Sequence, residues 1–175
     1  GERLPRDFFT RDGLTVAKEL LGKILVHETN VGTIRGVITE VESYMGVEDK
    51  GSHTYGGKRT ERTEPMFHIG GTSYVYFTYG MYHCMNIATD VVNNPQAVLI
   101  RSVVPADIES QEQMLDLRLE ASLASIRKRK ADKGEELTSE EIESKKKSLL
   151  KHLADGPGKL CIAMGVNKQQ NDVDM

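Results

Sequence analysis

The sequence predicts an α+β fold in one domain. Its 175 residues are enough for one domain with a proper hydrophobic core. Short runs typical of β-strands are joined by brief turns, which favours hairpins and therefore a mostly antiparallel sheet. Hydrophobic residues also recur at helical spacing before and after those runs, so we expect helices to flank the sheet.

The first predicted elements are a helix and a hairpin. Gly22 is a typical C-terminal stop for the helix. One strand is predicted over residues 23–28 and a second over 33–44, with a turn at 30–32 between them. The helical spacing is carried by Leu14, Ala17, Leu20 and Leu21.

A long loop and three further strands follow. Residues 45–71 are rich in Gly, Ser, Thr and Asp. A loop of this length inside a compact domain is usually functional or disordered. Strands are predicted over 73–79 and 81–88, which Gly80 separates, and over 97–104.

Helices complete the predicted fold. Pro105 is expected to open the first of them, with acidic residues in its first turn, where the helix dipole favours negative charge. A second helix is expected to begin at Thr138, which forms a capping box with Glu141 three residues later. A short final helix is expected near Lys159.

Residues 106–153 differ in composition from the rest of the chain. Of these 48 residues, 21 are charged and none is aromatic. We interpret the segment as a charged helical insertion on a single domain that spans residues 1–175. The basic run at 127–130 has two interpretations: a solvated helix end, where the dipole favours cations, or a phosphate-binding arm.

Composition and charge argue against several classes of protein. The chain has no stretch of about 20 apolar residues that would span a membrane. Four of its first ten residues are charged, unlike those of a signal peptide. The two cysteines are far apart, which suits a reducing, intracellular compartment. The formal net charge of −3 counts mildly against duplex DNA as a partner, but it does not describe how the charges are distributed.

Common catalytic and cofactor motifs do not occur. There is no GxGxxG, GxxxxGKS/T, GxSxG or HExxH, so dinucleotide, P-loop, hydrolase and zinc-protease chemistries lose support. The five histidines lack the paired spacing of a zinc site. We therefore do not expect a zinc site.

Tyrosines and one carboxylate stand out as candidate site residues. Four of the six tyrosines lie within residues 74–82. Such alternating aromatics commonly pack within a sheet, but flat rings also stack on a nucleobase. Glu40, Glu42 and Tyr44 alternate along one strand and share a face, while Val41 points the other way. Glu42 is either an ordinary exposed residue or a general base that activates water beside an aromatic pocket.

Three other polar residues also allow two interpretations each. His53 is either a surface loop histidine or part of the site. Arg101 ends an otherwise apolar strand and is either a solvated cation or a buried partner of a carboxylate. Asn86 lies in a strand, where its amide is satisfied by the backbone or offered to a ligand.

These residues occur inside long, ordered motifs that resemble the alkyladenine (3-methyladenine) DNA glycosylase family. The resemblance covers nearly all of residues 5–105 and 154–171. The motifs, in order, are VESYMGVEDKGSH, GG, MF, GTSYVYFTYGMYHCMNIA, AVLIR, GPGKLC and AMGVNK.

The resemblance implies a single mixed domain with a curved antiparallel sheet and no metal or nucleotide cofactor. It implies hydrolysis of the N-glycosidic bond of an alkylated or deaminated purine in damaged double-stranded DNA. Such enzymes extrude the target nucleotide from the duplex. The expected product is an abasic site, formed without a lyase step, and a monomer is the expected state.

The resemblance also implies roles for individual residues. Glu42 matches the glutamate that activates water, and Arg101 matches the arginine that helps to hold that water. Tyr79 matches the tyrosine that enters the minor groove in place of the extruded base. The base-binding positions match Tyr44, His53, Tyr76 and Asn86. The DNA-contacting positions match Lys58, Arg62, Met66, Lys159 and Lys168.

Three features depart from the family pattern. Glu61 and Glu64 place acidic groups where we expect a phosphate, and residues 106–153 are longer and more charged than the usual connection. The C-terminal segment of the family is expected to be absent after Met175. These departures leave open a module that binds lesions or structured nucleic acid without cleavage, and, more weakly, an interaction scaffold built on the 106–153 helices.

Overall fold

A five-stranded sheet forms the centre of the computed structural model, which describes residues 1–175. The strands are β1 Ile24–Thr29, β2 Gly32–Tyr44, β3 Ser73–Thr78, β4 Tyr82–Thr89 and β5 Gln96–Pro105. The helices are α1 Arg6–Phe9, α2 Gly13–Leu20, α3 Ile108–Asp132, α4 Ser139–Lys151 and α5 Pro157–Met164. The sheet order is β1-β2-β5-β4-β3, and every pairing is antiparallel. The predicted α+β fold with a curved, antiparallel sheet is confirmed.

Helices cover one face of the sheet and enclose the main core of 21 buried residues. Helix α2 contributes Val16 and Leu20, and α5 contributes Leu160 and Met164, each at most 2% exposed. Burial of one such aliphatic side chain stabilises a protein by about 1.5–3 kcal/mol. Because the apolar residues of the strands point toward these helices, the other face of the sheet is available for polar and aromatic site residues.

The region around Pro105 differs from the prediction. The expectation that Pro105 opens a helix is wrong, because this residue ends β5 and pairs with Gly36 of β2. Strand ends tolerate proline, since the missing N–H is not needed for an internal ladder. Helix α3 begins at Ile108, and its N-cap is Asp107, whose Oδ1 accepts a hydrogen bond from the Ser110 N–H at 2.7 Å.

Four short helical elements had no sequence prediction. They are α1 and the 3₁₀ helices Tyr55–Gly57, Glu64–Phe67 and Lys168–Gln170. Elements of three or four residues are too short for a hydrophobic pattern of helical period. None of the helices has the length and apolar character needed to cross a membrane.

The charged segment 106–153 is divided between the main domain and a helical hairpin. The first turns of α3 belong to the core, because Ser110 and Met114 are fully buried. Farther along, α3 and α4 pack on each other around a separate small cluster of Leu119, Leu123 and Leu149. Only the outer part of the segment therefore projects from the domain.

Arg118 of α3 links the end of α4 to the domain by hydrogen bonds. Its side chain donates hydrogen bonds to the carbonyl oxygens of His152, at 2.9 Å, and of Leu153, which follow the last turn of α4. Only 8% of Arg118 is exposed, and burial lowers the pKa of its guanidinium. Since a helix end leaves carbonyl groups without partners, this buried cation caps α4.

Candidate active site

Four residues form a row across the sheet on the face opposite the core. Glu42 of β2 pairs with Leu99 of β5, Leu99 pairs with Asn86 of β4, and Asn86 pairs with Tyr74 of β3. Directly paired residues point to the same side of a sheet. The intervening Val41 packs against the core, as the alternation predicted. The row thus places a carboxylate, an amide and a tyrosine on one surface.

Arg101 lies between two carboxylates. Its Nη1 donates to Oε2 of Glu42 at 3.0 Å, and its Nε donates to Oε1 of Glu40 at 2.9 Å. The hydrogen bond to Glu40, together with the charges of both carboxylates, raises the pKa of Arg101. Register shifts on both sides of Glu40 interrupt the β2–β5 pairing, and such bulges redirect side chains. Arg101 is therefore a carboxylate partner, but with 37% of its side chain exposed it is not a buried one.

Tyr44 stands beside Glu42 on the same face of β2. Its hydroxyl donates to Oε1 of Glu42 at 3.3 Å. Burial of the phenol and the nearby charge of Glu42 raise the pKa of Tyr44 to about 12, so the hydroxyl remains a donor at neutral pH. The Glu42 side chain is 46% exposed. Both of its oxygens are thus oriented by the protein, and water still reaches them.

Aromatic rings border a pocket next to this carboxylate. The rings of His53 and Tyr76 meet edge to face with centroids 4.7 Å apart, and those of Tyr74 and Tyr76 are 5.3 Å apart. The enclosed space is about 10 Å³, roughly the room that one water needs. The pocket is therefore too small for a purine in this conformation. The pocket is lined by Tyr44, Gly51, His53, Met66, Tyr74, Tyr76 and Asn86.

His53 is held in the pocket by a buried tyrosine. Its Nδ1 lies 3.0 Å from the hydroxyl of Tyr74, which is only 1% exposed. Burial, followed by the charges of Arg62 and Lys58, lowers the pKa of His53. The imidazole is consequently neutral at pH 7, and its orientation is set by the Tyr74 hydroxyl.

Asn86 and Met66 form the buried wall of the pocket, and each is 2% exposed. Nδ2 of Asn86 donates to the backbone carbonyl of Tyr74 at 3.3 Å, so the amide is bonded to the backbone and still lines the pocket. Met66 packs with Phe67, Tyr74 and Ala97. Met66, one of the predicted DNA-contacting residues, thus lies in the lining of the pocket.

Tyr79 lies at the tip of the β3–β4 hairpin and is 88% exposed. Its φ of 55° falls in the left-handed region, which is uncommon for a residue other than glycine. A hydrogen bond of 3.1 Å from the Met81 N–H to the Thr78 carbonyl closes the turn. Since Met81 is 67% exposed, the hairpin presents two large apolar side chains to solvent.

Helix α5 begins against the base of the same hairpin. A Cβ atom on Gly158 would lie 2.6 Å from the ring of Tyr82, so this close approach requires glycine. The next residue, Lys159, is exposed, and its Nζ lies 3.2 Å from Oδ1 of Asp155. The contact between Gly158 and Tyr82 therefore brings a lysine to the side of the exposed hairpin.

Three other predicted DNA-contacting cations have no carboxylate partner. Lys58, Arg62 and Lys168 are exposed, and none of them makes an ion pair within the chain. The guanidinium carbon of Arg62 lies 5.3 Å from the centre of the Tyr76 ring, at the pocket. Lys168 is the first residue of the 3₁₀ helix Lys168–Gln170. These charges are free to meet phosphate groups.

The acidic residues of the long loop differ in their surroundings. Glu64 forms a two-point pair with Arg59, with distances of 2.8 Å to Nε and 2.6 Å to Nη2. This pairing lowers the pKa of Glu64 to about 2. Glu61 is exposed and has no such partner. The expected repulsion of a phosphate by this loop therefore concerns Glu61, because the charge of Glu64 is matched by Arg59.

The sequence pattern assigns no role to two residues at the site. Glu40 was recognised only as a neighbour of Glu42 on one face, and its hydrogen bond to Arg101 had no sequence signal. Tyr74 was counted in the tyrosine cluster, but its contact with His53 spans a 21-residue separation. Alternation along a strand reveals which face a residue occupies, and it does not reveal the partner across strands.

Comparison with known proteins identifies the family. Residues 7–175 match the model of the family described as Methylpurine-DNA glycosylase (MPG). A protein of Clostridium perfringens (strain SM101) is 45% identical over 172 residues, which cover 98% of this chain and 74% of that protein. A protein of Clostridium acetobutylicum is 42% identical (99% and 74% covered), and one of Bacillus cereus (strain AH187) is 42% identical (98% and 72% covered). All three carry the name "Putative 3-methyladenine DNA glycosylase". The chain belongs to the methylpurine-DNA glycosylase family, which confirms the resemblance drawn from its motifs.

Proposed function

We propose that this protein is a monofunctional DNA glycosylase that removes alkylated or deaminated purines of the 3-methyladenine type from damaged double-stranded DNA. The observation that carries the proposal is the position of Glu42, whose oxygens are held by Arg101 and Tyr44 at the edge of the aromatic pocket. Family membership and the names of the relatives support the same activity. We expect the protein to act as a monomer on chromosomal DNA, without a cofactor.

Glu42 is the general base in the proposed reaction. Its carboxylate takes a proton from water while the water oxygen bonds to C1′ of the deoxyribose. The bond from C1′ to the purine nitrogen breaks, and its electron pair leaves with the base. A purine methylated at N3 or N7 is cationic, so it departs as a neutral molecule without help from an acid. The products are the free base and an abasic site.

The target nucleotide has to leave the helix before this attack. C1′ of a stacked nucleotide cannot be reached by Glu42, so the nucleotide rotates into the pocket, as in other enzymes that act on a single base. Unstacking costs a few kcal/mol. The exposed ring of Tyr79 is suited to fill the gap left in the duplex. The phosphates are bound by cations of the loop, of α5 and of the last 3₁₀ helix: Lys58, Arg62, Lys159 and Lys168.

The pocket suits a cationic purine. Tyrosine faces attract cations through the negative charge density of their rings, and the lowered pKa of His53 keeps a second positive charge out of the pocket at pH 7. We place the purine between Tyr44 and the pair formed by His53 and Tyr76. Asn86, on the buried wall, then meets the edge of the base and opposes the 2-amino group of guanine.

Water, and not a lysine, attacks C1′ in this proposal. The residues that line the pocket include no lysine, so no amine is placed to form a Schiff base with the sugar. Borohydride should therefore trap no covalent complex between protein and DNA. A trapped complex would show that the protein also acts as a lyase.

Release of a free base tests the proposed activity. Duplexes that each carry one defined lesion are incubated with excess protein, the free purine is measured by chromatography, and abasic sites are counted after alkaline cleavage. We expect both products in equal amounts. Lesion-selective binding with no abasic site after long incubation would instead identify a module that recognises lesions without cleaving them.

Replacement of Tyr79 by asparagine should slow excision from duplex DNA by roughly 10- to 100-fold, because the extruded nucleotide loses a few kcal/mol of support. Asparagine tolerates the left-handed conformation that Tyr79 adopts, so the turn is kept and only the ring is lost. Single-turnover rates on duplex and on single-stranded substrates measure the effect. The single-stranded rate should change much less.

A matched control for Tyr79→Asn is Val31→Asn. Val31 is 83% exposed and lies between the paired ends of β1 and β2, in a different hairpin. Its replacement should leave both rates unchanged. Equal losses on duplex and single-stranded DNA in Tyr79→Asn would show that Tyr79 does not support an extruded base.

Acidification should weaken binding of a cationic lesion more than binding of a neutral one. Protonation of His53, whose pKa lies below its ordinary value, places a positive charge against the bound base. We expect the affinity ratio between 7-methylguanine and hypoxanthine duplexes to fall by about fivefold as the pH is lowered through the depressed pKa of His53, since a partly exposed like-charge contact costs about 1 kcal/mol. The binding constants are measured in a Glu42→Gln background, which prevents cleavage. A ratio that stays constant, or that falls equally in His53→Asn, would contradict this role.

A further inference from the structure

A second carboxylate holds the arginine of the site. Glu40 accepts the Nε–H of Arg101 at 2.9 Å, while Glu42 accepts from Nη1 at 3.0 Å. The third nitrogen, Nη2, makes no hydrogen bond within the chain. The two carboxylates therefore accept from different nitrogens of the same planar guanidinium.

This arrangement sets the charge of the site as well as its geometry. Two carboxylates and one guanidinium leave one net negative charge where C1′ becomes positive as the glycosidic bond breaks. Other titratable groups near Glu42 do not alter this sum. Tyr44 keeps its proton because its pKa is about 12, and burial raises the pKa values of Tyr76 and Cys84, which lie farther along the same face.

Loss of Glu40 would free Arg101 to change its contact with Glu42. An unrestrained guanidinium pairs with a carboxylate in a two-point fork. Each oxygen of Glu42 already accepts one hydrogen bond, from Tyr44 and from Arg101. A fork would bring a second charged N–H donor to Glu42 and would lower the basicity of the carboxylate that must accept a proton from water. Loss of the Glu40 charge would also bring the net charge of the site to zero.

We propose that Glu40 is a positioning residue, which holds Arg101 in a one-point contact with Glu42 and keeps a net negative charge beside the sugar. The inference rests on the proposed glycosylase function of the same site. Glu40 touches neither the base nor the sugar in this scheme, and acts through Arg101.

Single-turnover kinetics on a duplex with one 7-methylguanine test this role. Glu40→Ala should slow base release by about tenfold or more, because small displacements of a reacting group are costly. Its affinity for a duplex with an abasic analogue should stay within about twofold, as expected for a residue without DNA contacts. Glu40→Gln, which keeps an oxygen acceptor for Nε but not the charge, should fall between wild type and Glu40→Ala. Glu28→Ala, which removes an exposed carboxylate of β1 that makes no ion pair, is the matched control.

A double-mutant cycle shows whether Glu40 acts through Arg101. In an Arg101→Gln background, Glu40→Ala should cause no further loss, because the contact is already gone. Independent, multiplicative losses would overturn the proposal. A wild-type rate in Glu40→Ala would also overturn it.

A spectroscopic measurement separates this proposal from the proposed function. The Arg101 Nε–H resonance in a ¹H–¹⁵N spectrum should be slow to exchange with water in the wild type and in Glu28→Ala, and should be lost or strongly shifted in Glu40→Ala. This result does not need an active chain. If no base is released but the resonance behaves in this way, the proposed function fails and the positioning contact stands. An unchanged resonance in Glu40→Ala overturns the positioning role even in an active protein.

Discussion

Replacement of Glu42 by glutamine is expected to slow base release by about 10²–10⁴-fold, the usual contribution of a general base. Glutamine has nearly the same shape; its amide oxygen can still accept from Arg101, and its amide NH2 can donate to the hydroxyl oxygen of Tyr44. It cannot take a proton from water. Single-turnover rates on a 7-methylguanine duplex, measured with excess protein, give the effect directly, and affinity for the damaged duplex should be retained.

The matched control for this change is Glu28→Gln on β1. Glu28 is exposed, makes no ion pair and lies on the edge strand away from the pocket. The Glu28→Gln variant should release the damaged base at the wild-type rate. Full activity of Glu42→Gln would remove Glu42 from its role, and a loss of the same size in Glu28→Gln would attribute the effect to charge in general.

Replacement of Arg118 by methionine should lower the free energy of unfolding by about 2–4 kcal/mol. Methionine replaces much of the apolar stem of arginine, but the carbonyl groups of His152 and Leu153 lose their buried donor. Unpaired buried polar groups and lost charge-assisted hydrogen bonds account for this magnitude. Urea unfolding followed by circular dichroism measures the change.

Arg129→Met on the same helix serves as its control. Arg129 is exposed and makes no ion pair, so its replacement should change stability by no more than about 0.5 kcal/mol. Amide exchange should also become faster in α4 of Arg118→Met. Equal stability of the two variants would show that Arg118 does not fasten the hairpin to the domain.

The faces of the sheet could be predicted because strand alternation is a local property. Glu42 and Tyr44 point to the site while Val41 joins the core, as a period of two requires. Hairpin turns fixed the antiparallel order of β1 with β2 and of β3 with β4, since each pair is adjacent in sequence. Local signals thus determined the fold class and the surface that carries the candidate site.

Contacts between distant residues could not be predicted in the same way. The ion pair of Arg101 with Glu40 joins positions 61 residues apart and depends on two register shifts between β2 and β5. The width of the pocket depends on how closely the His53 loop approaches Tyr76. Neither property leaves a pattern in the sequence, because tertiary packing decides both.

Helix boundaries show a similar limit. Pro105 is compatible with the first turn of a helix and with the end of a strand. Pro105 belongs to the strand because β5 pairs with β2, which brings Pro105 opposite Gly36. The hydrogen bonds of Arg118 to buried carbonyl groups could not be predicted from the sequence either, because the segment around Arg118 has the composition of a solvated helix.

The central claim is that Glu42 lies beside a ring-lined slot that accepts one extruded purine. A structure of Glu42→Gln bound to a duplex with a single 7-methylguanine tests it most directly. We expect the purine between Tyr44 and the His53–Tyr76 pair, with these rings separated to admit it, and C1′ one water molecule away from the substituted side chain at position 42. A lesion still stacked in the duplex, or a purine bound elsewhere while His53 and Tyr76 keep the slot closed, would contradict the claim.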